Sequence, residues 1–124
     1  MNRSTVLIVD DNRDLAENLG EVLGDEGYTC AIAYDADSAI AQLDRMQFDF
    51  VITDLRMTPR DGLAVVAAVR RQSLEIPIVL MTAFAGEVQI EIARAAGVSE
   101  VLAKPVDSER LVAFVRERIP LLRA

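Results

Sequence analysis

The chain has 124 residues, enough to bury a core without disulfides, so we expect one domain over residues 1–124. Thirteen basic and twenty acidic residues give a net charge of −7, which argues against direct binding of nucleic acid. With no histidine and a single cysteine, Cys30, an internal disulfide is impossible and a zinc or copper site is not expected. No apolar run approaches the roughly 18 residues of a membrane span, and we predict a cytoplasmic protein without a signal peptide.

Five apolar runs alternate with helix-like segments along the chain. The first, residues 6–9, has four consecutive aliphatic residues, which is typical of a strand covered on both faces. An amphipathic helix follows and is predicted to end at Gly24 and Gly27. The second run, residues 29–33, is the least hydrophobic of the five, so we expect it near an edge of the sheet.

The central run, residues 50–53, leads directly into the carboxylate of Asp54. A loop-like segment rich in proline, aspartate and glycine follows and extends to Gly62. Further strands are predicted at residues 78–81 and 101–103. The inward positions of the third and fourth helices are predicted to be Leu63, Val66, Ala67, Val69, Val88, Ile92 and Ala95.

A β-α unit therefore recurs five times. Short crossovers that contain helices require parallel strands, and right-handed crossovers place helices on both faces of the sheet. The sequence thus predicts a doubly wound α/β fold without an internal repeat.

Polar side chains follow four of the five predicted strands. They are Asp10, Asp11, Asp54, Thr82 and Lys104. In a parallel sheet these strand ends share one edge, where open α/β sheets bind ligands. Any one of these residues is equally well explained as a turn or cap residue, whereas the combination indicates a site. Three clustered carboxylates repel one another unless a cation lies among them, and oxygen ligands suit Mg²⁺.

Together these residues resemble the receiver domains of bacterial two-component response regulators, and the resemblance covers the whole chain. It implies a flavodoxin-like sheet of strand order 2-1-3-4-5. The matching elements are Asp10-Asp11, Asp54, Met57, Asp61-Gly62, Thr82-Ala83 and Lys104-Pro105.

The resemblance also implies a metal site and a covalent nucleophile. Asp54 would accept a phosphoryl group from a phosphohistidine on a sensor histidine kinase or phosphotransfer protein. Asp11 and Asp54 would bind Mg²⁺, for which Mn²⁺ could substitute, together with the backbone carbonyl of Arg56. Asp10 would act through a metal-bound water.

Three further groups are implied to hold the phosphoryl oxygens. Lys104 would pair with one oxygen, while the hydroxyl of Thr82 and the backbone N–H of Ala83 would bind another. Such a chain is a phosphoacceptor signalling domain that catalyses only its own phosphorylation and slow dephosphorylation.

The implied partners are the kinase and an output domain or downstream protein, without nucleic acid or membrane. The expected oligomeric state is a monomer or a weak, phosphorylation-dependent dimer. We interpret residues 119–124 either as a tail that packs on the sheet or as the start of a linker to an output domain.

The sequence departs from the family pattern in three respects. Pro59 stands one place later than usual, so we expect a locally altered loop and an intact site. Val101 replaces an aromatic residue that often rotates with the threonine, and we interpret it as a core strand residue. Arg56 and Phe84 flank the predicted phosphoryl position, and we expect them either to slow self-hydrolysis by shielding it or to be exposed without kinetic effect.

Three other functions are less consistent with the sequence. A phosphatase with an aspartyl nucleophile requires a second acid two residues after the first, where Arg56 stands. A binding module that has lost phosphorylation would not need the acid pair Asp10-Asp11, Thr82 and Lys104. A flavin carrier needs a phosphate-binding loop after the first strand, where those two aspartates would repel phosphate.

Overall fold

The computed structural model describes residues 4–83 and 86–121, and the side chain of Val88 lies outside this description. Strands and helices alternate throughout these ranges. The strands are β1 Thr5–Val9, β2 Thr29–Ala33, β3 Phe50–Asp54, β4 Ile78–Thr82 and β5 Glu100–Ala103. The helices are α1 Arg13–Asp25, α2 Ala36–Arg45, α3 Gly62–Gln72, α4 Glu87–Ala96 and α5 Ser108–Arg118.

The five strands form one parallel sheet with the order β2-β1-β3-β4-β5. The doubly wound, flavodoxin-like topology is therefore confirmed, as is the edge position of β2. Strand β3 lies in the centre, and all five of its residues are buried. Its carboxyl end, Asp54, is consequently flanked by the ends of both β1 and β4.

Side chains alternate between two cores because successive strand residues point to opposite faces. Leu7 and Val9 of β1 join one core, which is covered by α2, α3 and α4. Val6 and Ile8 join the other core, which is covered by α1 and α5. Both faces of the central strands are therefore buried, which explains their continuous apolar sequence.

Four of the five helices begin with a side chain that accepts a hydrogen bond from a backbone N–H of the first turn. These N-cap residues are Asn12, Asp35, Asp61 and Asp107. Helix α4 differs because its N-cap is Gly86, which has no side chain to offer. The start of α4 is thus the least fixed helix start in the part of the chain that the structure describes.

Two details of the predicted helices are wrong. Helix α1 continues through Gly24 to Asp25, whereas Gly27, which was also predicted to end it, does form the turn after the helix with a φ of 107° that suits glycine. Ala67, Ile92 and Ala95 are exposed although inward positions were predicted. Alanine is small enough to lie on either face, and the apolar residues of α4 recur at a spacing of two, which does not select one helical face. The prediction for Val88 lies outside the described side chains.

The end of the described chain packs against the domain. Ile119 is buried, and its carbonyl accepts a hydrogen bond of 2.9 Å from the hydroxyl of Tyr28. Leu121 is partly buried in the core beneath α1 and α5. Up to residue 121 the tail therefore follows the packed interpretation, and residues 122–124 lie outside the described ranges.

Candidate functional site

The carboxyl ends of β1 and β3 bring the predicted acidic residues together. Asp10 follows β1, Asp54 is the last residue of β3, and Val9 lies beside Thr53 in the register of the two strands. Oxygens of Asp10, Asp11 and Asp54 all lie within 4.8 Å of one another. Asp10 and Asp54 are buried, whereas Asp11 is exposed at the surface of the cluster. This arrangement can hold a metal ion that is reached from the side of Asp11.

The ammonium group of Lys104 lies between the two buried acids. Its Nζ donates a hydrogen bond of 3.0 Å to Oδ2 of Asp10 and lies 3.3 Å from Oδ1 of Asp54. Burial alone would lower the pKa of Lys104, but the hydrogen bond from Lys104 to Asp10 and the charges of both acids outweigh this effect and raise the pKa. Lys104 therefore stays charged and partly neutralises the cluster.

One ammonium group does not compensate fully for three acids. Burial raises the pKa of Asp54, and the negative charges of Asp10 and Asp11 raise it further, while Lys104 opposes them. The folded protein thus resists ionisation of the residue that would have to act as a nucleophile. A divalent cation at the cluster would reverse this tendency, because it favours the charged form of every carboxylate around it.

The other groups predicted to contact a phosphoryl oxygen lie on the neighbouring strands. Thr82 ends β4 and is buried, while Ala83 is exposed directly after it. The backbone N–H of Lys104 donates a hydrogen bond of 2.8 Å to the carbonyl of Thr82. Sheet pairing thus holds Thr82 and Lys104 side by side at the edge that carries Asp54.

Arg56 lies on the open side of the cluster. Its side chain is exposed, and together with Asp11 it lines a cavity of about 530 Å³ between the loop after β3 and helix α4. Met57 and Thr58 line the same cavity. The role of the Arg56 carbonyl as a metal ligand stays a prediction, and Phe84, the other predicted shield, lies outside the described residues.

Position 62 requires glycine for a steric reason that was not evident from the sequence. A Cβ atom on Gly62 would lie 2.1 Å from the backbone carbonyl oxygen of Asp54. The amide of Gly62 also donates a hydrogen bond of 2.8 Å to the carbonyl of Leu55. The first residue of α3 is therefore packed directly on the backbone of the acid. The Asp61-Gly62 pair was visible in the sequence, but only as a turn and as part of the family motif.

The two remaining departures from the family pattern have simple structural settings. Val101 is partly buried and packs against the core under α2, α3 and α4, as expected for a core strand residue. Pro59 lies in the loop after Asp54, which still brings Gly62 onto the Asp54 carbonyl. The altered loop is therefore compatible with the close packing of the site.

The comparisons with known proteins agree with this geometry. Residues 6–116 match the family model described as the response regulator receiver domain. The chain is 41% identical over 106 residues to a response regulator receiver protein of Anaeromyxobacter sp. (strain Fw109-5), covering 86% of this chain and 44% of that protein. The chain spans between 24% and 52% of the length of the curated relatives it matches.

Solved structures of response regulator proteins have the same fold as this chain. The chemotaxis protein CheY4 of Vibrio cholerae superposes with a TM-score of 0.87 at 29% identity, over 93% of this chain and 98% of that one. A response regulator protein of Burkholderia pseudomallei, solved with a phosphorylated aspartic acid, calcium ion and citrate, has a TM-score of 0.83 and 27% identity. That match covers 89% of this chain and 65% of that one.

No helix in residues 4–83 or 86–121 is both long and apolar enough to cross a membrane. The match of the family model, over residues 6–116, spans nearly all of the described chain. The chain belongs to the response regulator receiver domain family.

Proposed function

We propose that Asp54 is the phosphoacceptor of this receiver domain and takes its phosphoryl group from a phosphohistidine in a Mg²⁺-dependent reaction. The observation that carries the proposal is the position of Asp54. It is buried at the end of the central strand, 3.3 Å from an ammonium group and within one cluster with two further acids. The B. pseudomallei relative offers a precedent, since that protein was solved with a phosphorylated aspartic acid.

Asp11 and Asp54 would bind the metal ion directly, Asp10 would act through a metal-bound water, and the Arg56 carbonyl would complete the protein ligands. The fit rests on the donor set, because three carboxylates within 4.8 Å of one another match the oxygen preference of Mg²⁺ or Mn²⁺. When bound, the ion would neutralise charge on both the acid and the incoming phosphoryl group. We expect Asp11 to contribute most to capture, since it is the exposed acid of the three.

The transfer itself requires few groups from the protein. An Oδ atom of Asp54 forms a bond to phosphorus while the bond from phosphorus to the donor imidazole breaks, and the imidazole leaves as the neutral ring with the proton that its other nitrogen carries in the phosphohistidine. The ammonium group of Lys104 already lies beside Asp54 and would form an ion pair with one phosphoryl oxygen. Thr82 and the N–H of Ala83 would donate hydrogen bonds to a second oxygen.

The proposed partners follow from this chemistry and from the length of the relatives. The donor is a sensor histidine kinase or a phosphotransfer protein, and the receiver passes its state to an output domain or a separate protein. We further propose a bacterial, cytoplasmic protein whose residues 1–124 form one receiver domain, as a monomer or a weak phosphorylation-dependent dimer. Bound phosphate would act by shifting a two-state equilibrium rather than by catalysing a reaction on another substrate.

The direct test is incubation with the small phosphodonor acetyl phosphate, followed by intact mass measurement. Wild-type protein should gain one phosphoryl group when Mg²⁺ is present and none when the metal is chelated. Asp54→Asn should gain none under either condition. Asp44→Asn is the matched control, because Asp44 is an exposed acid on α2 and its variant should react like the wild type.

The nature of the bond gives a second readout. An acyl phosphate is cleaved by neutral hydroxylamine, whereas a phosphate ester on Thr82 or a serine is not. Phosphorylation of Asp54→Asn at the wild-type extent, or a hydroxylamine-resistant product, would contradict the proposal.

A further inference from the structure

We propose that Arg70 is the pivot of helix α4: its guanidinium group fixes the Gly97 end of the helix to α3, so that α4 moves at its Gly86 end. The proposal concerns how the domain changes shape, and its link to phosphorylation rests on the function proposed for Asp54. Three features of the described chain carry it, namely the contacts of Arg70, the backbone at Gly97 and the packing of α4.

The side chain of Arg70 binds the carboxyl ends of two helices at once. Its Nε and Nη2 donate hydrogen bonds of 3.0 and 2.7 Å to the carbonyl of Gly97, which follows α4. Its Nη1 donates a bond of 3.0 Å to the carbonyl of Ser73, the C-cap of α3. A cation at this position compensates both helix dipoles and unpaired carbonyls.

Among the described residues, the hydrogen-bond partners of the Arg70 guanidinium are the carbonyls of Gly97 and Ser73. None of the ion pairs among the described residues includes Arg70. Burial removes part of the water around the guanidinium and lowers its pKa. A partly buried charge whose partners among the described residues are backbone carbonyls is costly to displace, so we expect the junction to be stable.

Gly97 fits this junction in two ways. Its φ of 104° is left-handed, a conformation that glycine adopts without strain, and its N–H donates to carbonyls of the last turn of α4. A Cβ atom on Gly97 would lie 2.8 Å from Nε of Arg70. The glycine therefore provides both the turn and the space in which the guanidinium lies.

The opposite end of α4 lacks any comparable attachment among the described residues. Gly86 caps the helix without a side-chain hydrogen bond. Among the α4 side chains that the structure describes, Ala93 is the buried one, and Ile92 remains 51% exposed. The cavity of about 530 Å³ lies between α4, which contributes Gln89, Ile92 and Ala93, and the loop after Asp54.

Helices α3 and α4 are therefore joined at their carboxyl ends, whereas a cavity lies beside the first two turns of α4. The joined end lies away from the acidic cluster, whereas the open end borders it through Asp11 and Arg56. A change at Asp54 or Thr82 would displace the Gly86 end of α4, and the helix would rotate about the Arg70–Gly97 junction.

Amide hydrogen exchange in the unmodified protein tests the pivot. Two backbone amides report on the two ends: Ile90, which donates to Gly86, and Val98, which donates to Ala93. After correction for intrinsic rates, we expect Ile90 to exchange about tenfold faster than Val98, because the free end opens locally more often. In Arg70→Gln the exchange of Val98 should accelerate about tenfold, to within a few-fold of Ile90.

Arg71→Gln is the matched control, since Arg71 is the next residue of α3 and is exposed. It should retain the wild-type difference between Ile90 and Val98. Arg70→Lys keeps the charge but cannot bind two carbonyls with a planar group, and should lose most of the protection of Val98. Equal exchange at Ile90 and Val98 in wild type, or a Val98 rate unchanged in Arg70→Gln, would overturn the pivot.

A second arm separates the pivot from the function of Asp54. The phosphorylation of the protein is first verified by intact mass. On phosphorylation, the NMR chemical shifts of the backbone amides should change most at Ile90 and least at Val98. If the protein is phosphorylated and both ends shift equally, the pivot is wrong while the proposed function stands. If no phosphoryl group is gained, the proposed function fails, and the exchange rates of the unmodified protein alone decide the pivot.

Discussion

Helices α3 and α4 cover the same face of the sheet but are attached to it very differently. Helix α3 has five buried residues, a side-chain cap at Asp61 and a first residue, Gly62, packed on the Asp54 backbone. Helix α4 has Ala93 as the buried residue among its described side chains and begins without a side-chain cap. The acid side of the site is thus rigidly built, whereas the side that follows Thr82 is lightly held. A switch needs both, since the nucleophile must be fixed and the responding element must move at low cost.

The strongest challenge to this contrast is a side chain at Gly62. Gly62→Ala places a Cβ atom 2.1 Å from the Asp54 carbonyl oxygen, so either α3 or the end of β3 must shift. We expect the free energy of unfolding to fall by about 3 kcal/mol, as for overpacking of a rigid interior. Urea denaturation monitored by circular dichroism would measure the loss.

Gly24→Ala is the control for that substitution. No atom lies within 4 Å of a Cβ built on Gly24, and the residue lies within α1, so alanine should stabilise the protein by about 0.5–1 kcal/mol. If Gly62→Ala were as stable as wild type, the close packing of α3 on the acid would not be essential.

The next largest effect is expected from Lys104. Lys104→Met leaves Asp10, which is fully buried, without its cation and leaves the repulsion among three acids uncompensated. We expect a loss of about 2 kcal/mol at neutral pH without metal, less than for a fully buried pair because Lys104 is partly exposed. Denaturation with and without Mg²⁺ would test this, and the ion should recover part of the loss. A variant as stable as wild type would show that the cluster does not need the ammonium group.

Asp54→Asn is expected to change the free energy of unfolding by less than Lys104→Met, and in the opposite direction. Its folded-state pKa is raised, first by burial, so the folded protein binds this proton more tightly than the unfolded chain does. The resulting stability is present below the ordinary pKa of a carboxyl group and is lost as the pH rises through the raised value. The amide side chain introduced by Asp54→Asn does not ionise, so this variant should be more stable than wild type at pH 7 by on the order of 1 kcal/mol.

Urea denaturation at several pH values would measure this difference. It should shrink towards acid pH, and saturating Mg²⁺ at pH 7 should stabilise wild type more than Asp54→Asn. A difference that grows as the pH falls would contradict the assignment of repulsion to the Asp54 charge.

The smallest change in stability is expected at an exposed ion pair of the loop after Asp54. Arg60 and Asp37 form an ion pair of 3.1 Å in which both side chains are more than half exposed. Arg60→Ala should lower the free energy of unfolding by at most about 0.5 kcal/mol, because water and salt screen such pairs. A loss approaching that of Lys104→Met would show that the loop after Asp54 is held from outside rather than by Gly62.

Much of the fold could be predicted from the sequence because strand residues in a doubly wound sheet are apolar on both faces. Strand β2 has the predicted bounds, and β3 is longer by one residue because Asp54 still pairs with Met81. The family resemblance then supplied the strand order. Helix faces were the weak point, since Ala67 and Ala95 are too small to indicate a face and the apolar residues around Ile92 recur at a spacing of two.

The members of the site were also predictable, whereas their contacts were not. Strand ends that share one sheet edge indicated Asp10, Asp11, Asp54, Thr82 and Lys104. The resemblance paired Lys104 with an incoming phosphoryl group, and the structure adds its contacts with Asp10 and Asp54. The junction of Arg70 with Gly97 joins residues 27 positions apart through a side chain and a backbone carbonyl, which no local pattern encodes.

Binding of Mg²⁺ or Mn²⁺ tests the central claim most directly, because Asp54 can act as a nucleophile only if a cation offsets its neighbours. Titration calorimetry of the unmodified protein should show one bound ion per chain, with the affinity lost in Asp11→Asn and retained in Asp44→Asn. A folded wild-type protein without measurable affinity for either ion would contradict the account.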